Sequence, residues 1–126
     1  MNTTNPDKKL VVRCLQKVLP AGCVLHAAED LKPYECDGLS AYQQLPLVVA
    51  LPETVEHIEH ILTFCAKQHI PVVARGAGTG LSGGALPLEN GVLISLAKFN
   101  RILNIDIENN TAVVQPGVRN LAISEA

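Results

Sequence analysis

Residues 71–84 read Pro-Val-Val-Ala-Arg-Gly-Ala-Gly-Thr-Gly-Leu-Ser-Gly-Gly, a short apolar run that leads directly into a glycine-rich loop. The run has the length and β-branched content of a buried strand. Five of the nine residues from 76 to 84 are glycines, which permits positive φ and lets successive N–H groups close around a phosphate. Because Arg75 adds a cation and Thr79 and Ser82 add hydroxyl groups, the segment predicts a diphosphate-binding site.

Two other phosphate-binding motifs are excluded by what surrounds this loop. Residues 78–83 match G-x-G-x-x-G, but in nicotinamide dinucleotide domains the last glycine opens a helix that holds the pyrophosphate. Pro87 and Gly91 follow within eight residues and leave no room for that helix. Gly84 stands where the Walker loop has lysine. A purely structural turn is the remaining alternative, and it would not require the arginine and the two hydroxyl groups.

The segments before the loop follow a strand, helix, strand order. Residues 47–51 and 71–74 are apolar runs that predict strands, and Thr54 can cap the helix between them. Its inward positions are expected to be Val55, Ile58, Ile61, Leu62 and Cys65. This order predicts a parallel pair of strands and an α/β fold class.

The segments after the loop predict further strands and a helix. Residues 92–95 form a third apolar run, and residues 102–107 and 111–115 predict a hairpin that turns at Asn109-Asn110 and makes the sheet mixed. Residues 119–126 read as the start of a helix, without a cap, glycine or proline to end it. Its residues available for burial are Leu121, Ala122 and Ile123. We therefore expect the N-terminal piece of a longer protein.

The N-terminal third predicts one helix followed by a connection. Asn5-Pro6-Asp7 has the pattern of an Asn cap with proline at the first helical position. The helix presents an apolar stripe of Leu10, Val11, Cys14, Leu15, Val18 and Leu19. Residues 27–44 are expected to form a loop-rich linker. The chain thus divides into residues 1–44, an N-terminal helix and linker, and residues 45–126, the domain that carries the loop.

Composition excludes several classes of protein. The 126 residues are 48% hydrophobic and 17% charged, which argues against disorder. The longest apolar stretch, residues 45–51, is far shorter than the roughly 20 residues of a membrane span. A net charge of −2 with scattered basic residues gives no footprint for nucleic acid. The polar N-terminus argues against a secretory signal, so a cytoplasmic location is expected.

The cysteines and histidines do not predict a metal site. No C-x-x-C pair is present, and reduced, buried thiols are expected at Cys14, Cys23, Cys36 and Cys65. His57 and His60 share one face of the predicted helix, but neighbouring glutamates mark that face as solvated. We expect no metal there. No catalytic role is assigned to the four histidines, His26, His57, His60 and His69.

Residues 71–84 resemble the pyrophosphate loop of FAD-linked oxidases of the vanillyl-alcohol oxidase and p-cresol methylhydroxylase (PCMH) type. Residues 34–42, 85–89 and 115–124 narrow the resemblance to the branch that acts on D-2-hydroxy acids, and are similar to the D subunits of glycolate oxidases. The resemblance covers nearly the whole chain. It implies the first half of a PCMH-type FAD-binding domain, an α/β (α+β) fold with a small mixed sheet and flanking helices.

The resemblance also implies a set of cofactor-binding residues. They are Arg75, Gly76, Ala77, Gly78, Thr79, Gly80, Leu81, Ser82 and Gly83, with the turn at Pro116-Gly117 close to the cofactor. Thr79 stands where some relatives attach flavin covalently through histidine, so non-covalent FAD is implied. The second half of the flavin domain, a substrate cap and the catalytic residues are expected further along the chain, so the catalytic residues are unknown.

The implied reaction is oxidation of a 2-hydroxy acid, glycolate or D-lactate, to the 2-oxo acid in a longer FAD-dependent enzyme. The present chain alone is expected to be inactive. Implied partners are FAD, the small substrate, and further FAD-binding and iron–sulfur subunits, through which the protein would lie at the periphery of the inner membrane. Two alternatives remain open. One is a truncated, non-catalytic FAD-binding module. The other, a nucleotide-sugar reductase or other transfer enzyme on the same flavin fold, is disfavoured by the flanking segments.

Overall fold

The computed structural model describes residues 6–34, 44–76, 90–118 and 120–125. Helix α1, Lys8–Val18, is followed by a two-residue strand β1, Val24–Leu25. A short helix α2, Ala28–Leu31, continues into a 3₁₀ turn, Lys32–Tyr34. The predicted linker therefore contains helical structure in its first part, and its residues 35–43 lie outside the described residues.

The predicted strand, helix, strand segment is confirmed. Strand β2 is Val48–Ala50, helix α3 is Val55–Lys67 and strand β3 is Val72–Arg75. The Thr54 hydroxyl accepts a hydrogen bond from the His57 backbone N–H at 3.2 Å, which satisfies one donor of the first helical turn. Strand β4, Val92–Ser95, is buried throughout.

The rest of the described chain is a hairpin and a short helix. Strands β5, Ile102–Asp106, and β6, Thr111–Val114, pair antiparallel, and helix α4 is Asn120–Glu125. The predicted turn at Asn109-Asn110 is confirmed. The Asp106 carboxylate accepts hydrogen bonds from the backbone and side chain of Asn109 at 3.2 and 2.7 Å, and Asn110 has a positive φ of 53°.

The order of the strands in the sheet differs from the predicted direct pairing of β2 with β3. Strands β2 and β3 are parallel, as predicted, but β4 lies between them and pairs with both, in the order β1-β2-β4-β3. The hairpin forms a separate two-stranded sheet and does not make the main sheet mixed. The mixed character comes instead from β1, which pairs antiparallel with β2. Val24–Leu25 is too short to produce a sequence pattern.

Both faces of the central strands are covered, since alternate residues point to opposite faces. Val48, Ala50, Val92 and Ile94 pack with residues of α1 and α3 in one cluster. Val49 and Leu93 pack with Leu31 of α2 in a second cluster on the other face. This two-sided burial explains the continuous apolar runs of the parallel strands.

Three details of the helices differ from the prediction. The cap of α1 is Asp7, whose carboxylate accepts from the Lys9 backbone N–H at 3.1 Å, and Asn5 lies outside the described residues. Leu10 is 43% exposed, because the buried side of α1 is formed by Val11, Leu15 and Leu19. On α3, Ile61 and Cys65 are buried, but Val55 and Leu62 are 64% and 45% exposed.

Candidate functional site

The carboxyl ends of β3 and β4 form the edge at which the glycine-rich segment begins. Arg75 is in register with Ser95, and the Leu96 backbone N–H donates to the Arg75 carbonyl at 2.8 Å. Ser95 is 1% exposed, and its hydroxyl accepts a hydrogen bond from the Ala97 N–H at 3.4 Å. Ligands of open α/β sheets bind outside the carboxyl ends of the strands, so this edge is the expected place for a site.

A second turn, at Pro116-Gly117, packs against the residues that follow β4 at this edge. The Gly117 N–H donates to the Phe99 carbonyl at 2.8 Å. A Cβ at residue 117 would clash with the Leu96 carbonyl oxygen and would lie 2.9 Å from that of Phe99. A Cβ on Gly76 would lie 2.9 Å from the Pro116 carbonyl oxygen. Glycine at both positions therefore allows the backbone after β3, the turn after β4 and the 116–117 turn to meet.

These three segments surround a pocket of about 540 Å³, within the size range of small-molecule and cofactor sites. Its described lining residues are Pro33, Tyr34, Arg75, Gly76, Ser95, Ala97, Asn100, Gly117, Val118 and Ala122. Small residues and exposed backbone make up much of this lining. Such a surface suits a ligand that approaches the main chain closely.

The charge of the described lining comes from Arg75. Its guanidinium carbon lies over the Tyr34 ring, 5.5 Å from the ring centroid. Asn100 and Ser95 add neutral polar groups. A site with an arginine, neutral polar groups and glycine backbone favours an anionic ligand such as a phosphate.

The predicted cofactor residues divide into two groups. Arg75 and Gly76 line the pocket. The other predicted residues lie outside the described residues: Ala77, Gly78, Thr79, Gly80, Leu81, Ser82 and Gly83. The turn at 116–117, which the resemblance placed near the cofactor, brings Gly117 to the same pocket.

Sequence reasoning missed several lining residues. Ser95 carried a signal, because a polar residue ends an otherwise apolar buried strand. Tyr34 was placed in a linker, and the 3₁₀ turn that brings it to the pocket has no strong sequence pattern. Asn100 follows a short connection after β4 and could not be distinguished from other loop residues.

A cluster of three polar side chains includes a lysine from the turn that follows β4. The Lys98 ammonium donates to a Glu53 carboxylate oxygen at 3.0 Å and to the Cys23 sulfur at 3.2 Å. The Cys23 thiol donates to the same Glu53 oxygen at 3.4 Å. The hydrogen bond from Lys98 is the main reason that the pKa of Glu53 lies below its ordinary value. Because Lys98 stands between Ala97 and Asn100 in sequence, this cluster fixes the turn that lines the pocket.

The described cysteines carry free thiols, and one described histidine, His57, has a hydrogen bond through its ring. Cys23 and Cys65 are buried and Cys14 is partly buried, all unpaired with another cysteine, whereas Cys36 is not described. His57 Nδ1 accepts from the Glu53 backbone N–H at 3.2 Å. Within the described ranges, no three histidine, cysteine or acidic side chains are placed to hold a metal ion. In the same ranges, no helix has the length and apolarity needed to cross a membrane.

Comparisons with known proteins agree with this geometry. Residues 46–126 match the family described as FAD binding domain. The glycolate oxidase subunit GlcD of Escherichia coli K12 is 54% identical over 120 residues, 95% of this chain and 24% of that protein. D-lactate dehydrogenase of Archaeoglobus fulgidus is 44% identical over 71 residues, 56% of this chain and 16% of that protein. The chain thus spans about a quarter of GlcD and a smaller share of the dehydrogenase.

The structure of p-cresol methylhydroxylase with bound substrate gives a TM-score of 0.81 at 26% identity, over 93% of this chain and 24% of that one. The predicted fold class, a small mixed sheet with flanking helices of the PCMH type, is therefore confirmed. The match to residues 46–126 covers most of the sequence, and it begins just before β2 and includes the pocket-forming turns. The chain belongs to the FAD-binding domain family.

Proposed function

We propose that the chain binds FAD non-covalently, with the diphosphate held by residues 75–83. The observation that carries the proposal is the pocket where this segment begins, lined by Arg75, Gly76 and Gly117. Arginine supplies charge and a planar set of N–H donors that match phosphate oxygens. Membership of the FAD-binding domain family supports the same ligand.

The residues present fit a dinucleotide diphosphate. Gly76 and Gly117 both line the pocket and carry no side chain, so a ligand can approach the main chain at these two positions. A diphosphate needs this kind of access, because its oxygens bind to main-chain N–H groups. Thr79 supports non-covalent binding, since a threonine cannot replace the histidine that links flavin in some relatives.

We further propose that the complete gene product oxidises glycolate or D-lactate to the corresponding 2-oxo acid. The names of two relatives, a glycolate oxidase subunit and a D-lactate dehydrogenase, support this substrate class. When bound, FAD supplies the acceptor for the hydride that leaves the α-carbon of the substrate. The residues of this chain bind and orient the cofactor. No described residue is proposed as the base that takes the hydroxyl proton.

The proposed organisation places residues 45–126 in the N-terminal part of a PCMH-type domain, preceded by the helix and linker of residues 1–44. The name of the GlcD relative, a subunit, supports assembly with other chains. We propose FAD-binding and iron–sulfur subunits as partners in a cytoplasmic complex at the periphery of the inner membrane.

The test uses Gly78→Val in the complete gene product, with Ala21→Val as the matched control in an exposed turn that does not line the pocket. Valine disfavours positive φ and occupies space that phosphate oxygens would need. We expect Gly78→Val to lose bound flavin and Ala21→Val to retain it. Unchanged flavin content in Gly78→Val would contradict the assignment of the loop.

Acid precipitation of the same protein tests the mode of attachment. Non-covalent FAD should leave a yellow supernatant and a colourless pellet, whereas flavin in the pellet would contradict the interpretation of Thr79. NADH is a second control. It should not displace FAD, because the segment lacks the room for the helix that a nicotinamide site needs.

A non-catalytic FAD-binding module is the second candidate function. The described lining of the pocket supports it, because that lining contains no histidine, aspartate or glutamate. The two candidates differ in turnover, since a module would bind FAD without oxidising either hydroxy acid at any protein concentration.

A further inference from the structure

Tyr34 packs against the hydrophobic core and also lines the pocket. It ends the 3₁₀ turn that follows α2, and it is partly buried against the cluster of Leu31, Val49 and Leu93. The cluster residues are 2%, 0% and 0% exposed. The ring therefore rests on a rigid surface formed by α2 and the two central strands.

Arg75 contacts neighbouring elements through both its backbone and its side chain. Its carbonyl oxygen accepts from the Leu96 N–H at 2.8 Å, which ties its backbone to the residue after β4. Its guanidinium carbon lies over the Tyr34 ring at 5.5 Å from the centroid, within the range of a cation–π interaction. Both Tyr34 and Arg75 line the pocket.

An aromatic ring is a suitable partner for an arginine that must also bind an anion. A stacked guanidinium keeps its N–H donors in its own plane, and the neutral ring leaves the positive charge in place. Arginine has a large rotamer entropy, part of which is lost when a ligand fixes the side chain. A ring that restricts the guanidinium beforehand lowers that loss and strengthens binding.

We propose that Tyr34 is a positioning residue for the cofactor diphosphate and acts by holding the Arg75 guanidinium at the pocket. The inference rests on the proposed binding of FAD by residues 75–83. It adds a residue that lies about 40 positions before that segment in sequence, on a different element of the fold.

The test measures FAD affinity of the complete, flavin-free gene product by flavin fluorescence. Tyr34→Leu removes the ring and is expected to weaken FAD binding roughly 3- to 10-fold. Tyr34→Phe keeps the ring face and should bind within about twofold of the wild type. Leu25→Ala is the matched control, because Leu25 packs on the same cluster but does not line the pocket. It should lower the unfolding temperature and leave FAD affinity unchanged.

A double-mutant cycle separates positioning from a general structural effect. With Arg75→Gln as the background, Tyr34→Leu should weaken FAD binding no further, because the ring has no guanidinium to hold. Equal losses in both backgrounds, or a Tyr34→Phe variant as weak as Tyr34→Leu, would overturn the inference while leaving FAD binding intact. A wild-type protein that does not bind FAD would instead overturn the proposed function and this inference with it.

Discussion

Gly117 lies in a part of the pocket lining that leaves no room for a side chain. A Cβ there would clash with the Leu96 carbonyl oxygen and crowd that of Phe99, and both neighbours are backbone atoms that cannot rotate away. We expect Gly117→Ala to cost about 1–3 kcal/mol of unfolding free energy and to lower FAD affinity, because the 116–117 turn must move. Thermal unfolding and FAD titration measure the two effects.

Gly22→Ala provides the comparison. Gly22 has a positive φ of 82°, and the space that a Cβ would occupy there is open, so alanine introduces backbone strain of about 1–2 kcal/mol at a residue that does not line the pocket. This variant should lose stability and keep its FAD affinity. If Gly117→Ala also kept full affinity, the turn would not belong to the cofactor site.

The ion pair between Lys98 and Glu53 predicts a pH dependence of stability. The hydrogen bond from Lys98 lowers the pKa of Glu53 below 4.5, and the same bond raises the pKa of Lys98 above 10.5. The stabilisation is therefore present between these values. It is lost as pH falls through the lowered pKa of Glu53, and also as pH rises through the raised pKa of Lys98.

Lys98→Met removes this pair, and its unfolding temperature should fall below that of the wild type at pH 7. The difference should shrink as the pH falls through the lowered pKa of Glu53, because the carboxylate then takes up a proton and the ion pair is lost. Because both side chains are about 40% exposed, solvent screens the pair and the shift will be small. Lys9→Met, at an exposed lysine near the start of α1, should show no such pH dependence. A constant difference at all pH values would contradict the role of the ion pair.

Cys65 should resist modification in the folded protein. Burial raises the pKa of its thiol from 9.0 to about 11, so at a given pH it forms roughly 100-fold less thiolate than an ordinary thiol. With a thiol reagent at pH 8 and peptide mapping, partly buried Cys14 should be labelled much faster than Cys65. In urea the two rates should converge. Fast labelling of Cys65 in the native state would show that it is not buried as described.

Individual residues were predictable where local chemistry decides their role. Thr54 was identifiable because a hydroxyl before an apolar periodic segment satisfies the first N–H groups of a helix, and the structure confirms it. Arg75 and Gly76 follow a strand and so fall at its carboxyl end. Tyr34 was not predicted to line the pocket, because its position depends on packing against Val49 and Leu93, which are distant in sequence.

Among the elements, α3 contributes most clearly to the core through one face. Ile61 is 0% exposed and Leu62 is 45% exposed. We expect Ile61→Ala to lower the unfolding free energy by about 2–5 kcal/mol, through lost burial and a cavity, and Leu62→Ala to change it by about 0.5 kcal/mol. Denaturant titration of both variants measures this contrast. Similar losses would mean that the helix is rotated relative to the described structure.

Element types were predictable, but their arrangement was not. Apolar runs and the cap of α3 identify β2, α3, β3 and β4 from the sequence. Local pattern contains no information on which strand lies in the centre, because that order is chosen by packing of both faces against α1, α2 and α3. The same limit applies to the hairpin, whose alternation predicts two paired strands but not the sheet to which they belong.

At the scale of the whole molecule, the described lining of the pocket offers an arginine and neutral polar groups but no identifiable catalytic set. Arg75 is the cation of the described lining, and the proposal assigns it to the diphosphate. No histidine is among the described lining residues. We therefore expect the 126-residue chain, incubated with FAD, a dye acceptor and glycolate or D-lactate, to reduce no dye above a protein-free control.

Under the proposed function, the complete gene product should reduce the dye in the same assay. Steady turnover by the 126-residue chain would show that these residues contain the base and the substrate cation. That outcome would contradict the assignment of Arg75 to the diphosphate alone and would favour a self-contained enzyme.

The central place of β4 has a consequence for synthesis on the ribosome. Among the described strands, β3 pairs only with β4, so a nascent chain that has emerged only as far as Arg75 cannot yet add β3 to this sheet. The turn that completes the pocket arrives later still, with Gly117. At typical translation rates of about 5–20 residues per second, roughly 2–7 seconds separate Gly83, the last residue of the proposed loop, from Gly117. For that interval the segment proposed to bind the diphosphate is already made while the 116–117 turn of the pocket is not, so cofactor binding at this pocket would follow synthesis of Gly117.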